Sequence, residues 1–129
     1  MKSSFVLMVL VLAVTAVPAA ANGVCLHRSQ VQGWHIRDKH SVIVDDSFGR
    51  KYLLGLGAGC EDISWSSGLA FRPIGGGFSM CVDRGERITV LGNGPSHDVC
   101  WVRTVQLYTP DMEHADRMAK ANRQPLAAY

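Results

Sequence analysis

The chain has 129 residues, 47% of them hydrophobic, with 13 Lys and Arg against 11 Asp and Glu and a formal net charge of +2. That length makes one domain rather than several. The charges are interspersed and the longest basic run is Arg50-Lys51, which excludes the concentrated basic face of an electrostatic nucleic-acid binder.

The chain opens on Met1-Lys2, followed by the apolar run Phe5–Val17 and then Pro18-Ala19-Ala20-Ala21. This order of charged start, apolar core and small-residue site is that of a secretory signal peptide, with cleavage expected before Asn22. The apolar run is 13 residues long, short of the ~20 a membrane-spanning helix needs. The expected organisation is a cleaved signal over 1–21, a β domain over 22–109 and a tail over 110–129. Removing the signal leaves 108 of the 129 residues, expected to be periplasmic or secreted and without a membrane anchor. Val24 and Asn22 stand where a lipoprotein signal wants a small and a Leu-like residue, so Cys25 is not expected to be acylated.

Beyond the signal, short apolar and β-branched runs recur between Gly, Asp, Asn and Pro clusters, the pattern of an all-β domain. The first strand is expected over Val31–Arg37, with Trp34 and Ile36 on one face and His35 and Arg37 on the other, solvated face. Asp38-Lys39-His40 turns into Ser41–Asp45, where Val42 and Val44 share a face, and the turn after Asp45-Asp46 leads to Lys51–Leu56. An irregular segment, Gly57–Gly68, precedes a fourth strand over Leu69–Pro73, with Leu69 and Phe71 inward. A fifth covers Arg87–Leu91, and after the turn Gly92-Asn93-Gly94-Pro95 a sixth covers Val99–Tyr108. With no helix between them, such strands predict a small antiparallel meander of about six, curled into a barrel or sandwich.

Residues 110–129 change character. Thr109 suits a helix cap, Pro110 the first helical position, and Asp111 and Glu113 the positive end of the helix dipole. Glu113/Arg117 and Asp116/Lys120 have the spacing of i,i+4 ion pairs. The apolar stripe of Met112, Ala115 and Ala119 is thin, so the segment is expected to be a helical or flexible tail. On that reading, truncation after Pro110 leaves the melting temperature within roughly 2–4 °C of the parent.

The four cysteines, Cys25, Cys60, Cys81 and Cys100, allow three pairings. If strands run alternately up and down, Cys25 and Cys81 lie at one end of the sheet and Cys60 and Cys100 at the other. Strand length separates the ends by roughly 20 Å, and a disulfide needs Cα atoms within about 7 Å. Alternation therefore favours Cys25–Cys81 and Cys60–Cys100, and fails if a connection crosses the sheet. Each bridge would contribute roughly 4 kcal/mol in the chain-entropy model. His97-x-x-Cys100 with Cys60 and Cys81 offers zinc-type ligands, but paired C-x-x-C knuckles are lacking and export favours disulfides. No metal and no cofactor are expected.

Several segments together carry a resemblance. They are Arg50-Lys51-Tyr52-Leu53-Leu54, Gly59-Cys60, Leu69-Ala70-Phe71-Arg72, Met80-Cys81, Arg87-Ile88-Thr89-Val90-Leu91 and Cys100-x-Val102. In this order they resemble small exported bacterial proteins catalogued only as a domain of unknown function. The match covers about residues 25–108 and departs at the insertion-like Asp83-Arg84-Gly85-Glu86. The resemblance implies an exported bacterial protein and supplies no activity.

Catalytic signatures are sparse. Gly77-Phe78-Ser79-Met80-Cys81 lacks the last glycine of a nucleophile elbow. Gly55-x-Gly57-x-Gly59 and Gly75-Gly76-Gly77 read as loop glycines before anion cradles, and Asp45-Asp46 reads as a turn cap before a cation site. The surface pair singled out as a ligand or partner contact is Trp65 with Arg72. The reading is a non-enzymatic binding or structural module of the cell envelope, meeting an envelope protein or ligand. The alternatives are a small envelope hydrolase or transferase using His35, His97 or Asp83, and a secreted inhibitor or effector presenting Ser64–Gly68 or Gly75–Phe78.

Overall fold

The computed structural model describes residues 24–57, 60, 63, 68–72, 80–91 and 98–129. The signal segment therefore lies outside the described residues, as do Trp65, His97 and the glycine run 75–77. After a single turn at Arg28–Gln30 come β1 (Val31–Asp38), β2 (Ser41–Asp46), β3 (Lys51–Leu56), β4 (Gly68–Arg72), β5 (Arg87–Leu91) and β6 (Asp98–Leu107). The helix α1 (Pro110–Ala121) follows.

The six strands form one antiparallel sheet curled into a half-barrel, in the order β1-β2-β3-β6-β5-β4. Neighbours in space follow the chain as far as β3. The chain then crosses to the far edge and returns through β4 and β5 to place β6 against β3. Every neighbouring pair is antiparallel, so strand direction still alternates along the chain. Cys60, on the crossing segment, is bridged to Cys100 of β6 with Cα atoms 5.2 Å apart. Cys25 is bridged to Cys81 at 5.0 Å. Beside that bridge His27 pairs with Cys81, and the Val82 amide donates to the Leu26 carbonyl at 2.8 Å.

The inner face holds the main core. Val42, Val44, Tyr52 and Leu54 from one half meet Ile88, Val90, Cys100 and Val102 from the other, and Leu26, Ile63 and Val82 fill the opening. The outer face is divided. Over β1–β3, Ile43, Leu53 and Tyr108 form a second buried cluster, with Met112 of α1 packed against it. β2 and β3 are thus buried on both faces, and their sequences show it as unbroken apolar runs, Val42-Ile43-Val44 and Tyr52-Leu53-Leu54.

α1 starts as its sequence dictates, with the Met112 amide donating to Thr109 Oγ1 at 3.3 Å and Pro110 in the first turn. It is not a loose tail. Arg37, expected on a solvated face, is buried. Its Nε and Nη2 donate to the two oxygens of Asp116, the second at 2.8 Å. Nη1 donates to Asp38 at 2.9 Å and Nη2 also to the Ala127 carbonyl at 2.8 Å. The Tyr108 hydroxyl donates to Asp116 at 2.8 Å, and the Tyr129 ring lies 5.0 Å from the guanidinium. The i,i+4 pairs expected along the helix give way to pairs with the sheet: Asp116 takes Arg37, and Glu113 accepts from Lys51 at 3.0 Å. Counting apolar contacts missed this because the helix docks through charge. Met118, half exposed, stays out of both clusters.

Truncation after Pro110 should therefore be destabilising, because it removes the partners of Arg37 and exposes Ile43, Leu53 and Tyr108 to water. Exposing those apolar side chains costs about 2–3 kcal/mol or more, so calorimetry should show a melting temperature lower by about 10 °C or more. A change of only a few degrees would mean that the helix is not docked. Asp116→Asn should be destabilised by about 3 kcal/mol at neutral pH, with a pH signature. The Arg37 hydrogen bonds hold the Asp116 carboxyl below the ordinary carboxylate range, against the opposing effect of burial and with help from Tyr108. A depressed carboxylate stabilises the fold above its unfolded value, about 3.9, and loses that contribution as pH falls through its folded value. Denaturation from pH 7 to 2 should thus show parent and variant converging in acid. Parallel curves would contradict the assignment.

Candidate binding surface

Alternation along β4, β5 and β6 sends Leu69, Phe71, Ile88, Val90, Cys100 and Val102 inward, and leaves Gly68, Ala70, Arg72, Arg87, Thr89, Leu91, Val99 and Trp101 outward, where α1 does not cover them. Register sets these in rows across the strands: Gly68 with Leu91, then Ala70 with Thr89 and Val99, then Arg72 with Arg87 and Trp101. Trp101 is 48% exposed, Val99 44% and Leu91 39%. The Arg87 guanidinium sits 5.6 Å from the centre of the Trp101 ring, within cation–π range. Arg72 stands directly opposite Arg87, a like-charge pairing that destabilises a sheet. The two arginines with Thr89 and Val99 line an open depression of about 240 Å³.

β5 is held in place from behind. The segment Asp83–Glu86, which looks like an insertion in the sequence, is a tight turn with Gly85 at φ 88°, a left-handed conformation that suits glycine. Gly85 N donates to Val102 O at 2.7 Å and Val102 N to Glu86 O at 2.8 Å, fixing the turn against β6. Glu86 is buried; its carboxylate accepts from Arg28 Nε and, at 3.0 Å, from the Asp83 amide. The buried acid before Arg87 thus ties the amino-terminal segment to the start of β5.

A second cleft, about 410 Å³, opens between the β2–β3 turn and the start of α1, with Arg50, Lys51, Tyr108 and Glu113 in its wall. Its cations are already matched. Lys51 pairs with Glu113, and Arg50 Nε donates to Asp46 at 2.7 Å. Burial alone would push the Asp46 carboxyl up, but the Arg50 amide and guanidinium and the Phe48 amide outweigh it and hold it below the ordinary range. Asp46 is the cap of this turn, and among the described residues no His, Cys, Asp and Glu cluster could hold a metal ion. Gly55 faces Thr104, whose hydroxyl occupies the space a Cβ would need, so it serves close packing rather than an anion.

A model of a family of unknown function, DUF6491, matches residues 1–125. The chain belongs to that family. No curated protein and no solved structure matches it. For this DUF6491 member the geometry must therefore stand without a relative's chemistry. Arg72 lies exposed at the end of β4, while its expected companion Trp65 is outside the described residues. The aromatic that register brings near Arg72 is Trp101, two strands away; the alternation of Cys100, Trp101 and Val102 was its signal in the sequence. His35 is on the covered half beside Asp45, 3.9 Å away. Among the described residues no hydrogen bond or ion pair joins it to Asp83.

Glu86→Ala should destabilise the protein by about 1–3 kcal/mol, since it removes the buried carboxylate that accepts from the Arg28 guanidinium and the Asp83 amide. Urea unfolding of Glu86→Ala, Arg28→Met and the double variant would check this. The double variant should be more stable than the two single losses summed; simple additivity would dissolve the pair.

Proposed function

We propose that this protein is an exported, non-enzymatic binding module of the cell envelope, in the periplasm or outside the cell. Its contact surface is the outer face of β4–β6. One observation carries the reading: on the half of the sheet that α1 leaves bare, two opposed arginines adjoin a half-exposed tryptophan. Exposed tryptophan and arginine are the residue types that dominate binding surfaces, and a contiguous exposed patch of this kind is the mark of an interaction site. The two disulfides support an oxidising environment, and the charged start and apolar run of the first 21 residues support export. The absence of carboxylates among the outward residues described on these three strands favours an anionic partner.

The test is a photo-crosslinking amino acid placed at position 101 in protein exported by a bacterial host, with exposed Gln124 as the control position. Light should give adducts, to protein or to lipid, from position 101 and not from 124. Equal yields from the two positions would remove the face as a contact surface.

A further inference from the structure

We infer that the outer face of β4–β6 seats on the anionic surface of a lipid bilayer, with a headgroup phosphate held between Arg72 and Arg87. The inference rests on the reading of that face as the contact surface and names its partner. Register sets Trp101 in the row of Arg72 and Arg87, with Thr89 and Val99 in the next row and Leu91 beyond. A half-exposed tryptophan level with two arginines suits the headgroup layer of a bilayer, where amphipathic aromatic rings and phosphates lie together, and the exposed Val99 and Leu91 add apolar contact to the same face.

The local chemistry suits a phosphate. Arg72 and Arg87 repel each other across the strand pair, and an oxyanion between them turns that repulsion into charge-assisted hydrogen bonds, with the Thr89 hydroxyl as a further donor. The depression there, about 240 Å³, is smaller than the roughly 300–1,000 Å³ of an enclosed small-molecule site. It admits a headgroup and leaves the rest of the ligand outside. The surface is an open sheet face rather than a groove, which favours a flat partner over an extended peptide. Among the described residues no helix is long and apolar enough to cross a membrane, so the association described is peripheral.

Vesicle flotation with the full mature protein tests this. Phosphatidylcholine vesicles containing phosphatidylglycerol should carry the protein and phosphatidylcholine alone should not, with binding lost as salt rises. Each arginine near an anionic surface changes affinity about five-fold, so Arg72→Gln with Arg87→Gln should bind about tenfold or more weakly while melting as the parent does. Arg117→Gln with Lys120→Gln removes the same charge from α1 and should leave binding unchanged. An equal loss in the two double variants would reduce the effect to net charge and overturn the inference. Binding of inorganic phosphate that is lost in the Arg72→Gln, Arg87→Gln variant, together with no binding to phosphatidylglycerol vesicles, would assign the site to a soluble phosphate and overturn it as well. No vesicle binding together with a protein adduct from position 101 would overturn the membrane partner and leave the contact surface standing. No vesicle binding and no adduct would overturn both.

Discussion

The guanidinium of Arg37 is the group on which the arrangement of the outer face depends. It is buried on β1, where an unpaired cation would be strongly unfavourable, and its acceptors come from its own strand end, from α1 and from the last residues of the chain. β1 can keep Arg37 inside only if α1 presents Asp116 at the right height. Tyr108 links this polar contact to the apolar one. Its ring packs with Ile43 and Leu53 while its hydroxyl reaches Asp116. The helix is therefore placed over β1–β3 by geometry that a thin apolar stripe could not supply. The exposure of the β4–β6 face is the other consequence of that placement.

The strands were legible from the sequence because alternation and turn chemistry are local. Lys51–Leu56 and Arg87–Leu91 have the expected bounds, and the other strands differ by a residue at one end or both. The cap at Thr109 was equally local, since a hydroxyl next to Pro110 needs nothing beyond its own turn. What the residues did not disclose was long-range. Arg37 and Asp116 are 79 positions apart, and neither carries a local sign of its partner. Alternation placed Arg37 on the face opposite Trp34, and that much is correct. The step from that face to solvent was the error, and the apolar Ile43 and Leu53 on the neighbouring strands were the available sign that something covers it. Of the candidate surface, Arg72 was readable as an exposed strand end. Trp101 and Arg87 become its neighbours only through the strand order, which no local pattern encodes.

That order also explains how the disulfides and the crossing coexist. The segment after β3 leaves for the far edge, yet it leaves from the end of the sheet where β6 begins, because direction alternates through all six strands. Cys60 and Cys100 can therefore meet although the strands β4 and β5 intervene in the chain. The bridge ties the departing chain to the strand that takes the place beside β3. Cys25–Cys81 ties the amino-terminal segment to the approach of β5, with the Val82 amide on the Leu26 carbonyl beside it. An open half-barrel this small has little core to spare, and the Cys60–Cys100 bridge is itself part of that core, on the central strand β6.

The distribution of charge gives the β4–β6 face its meaning. Among the described residues each buried carboxylate has an arginine: Arg50 for Asp46, Arg28 for Glu86 and Arg37 for Asp116. Each pair joins segments that the sheet alone would leave apart or fixes a turn between strands. Arg72 and Arg87 break the pattern, because register sets them against each other and no carboxylate stands among the outward residues of the described strands around them. Among the described residues the fold has kept a repulsive pair here, on strands tied to the rest of the molecule by the Cys60–Cys100 bridge and the buried Glu86. An anion set between the two guanidinium groups would relieve that repulsion, which is the charge the proposed contact surface would take from its partner.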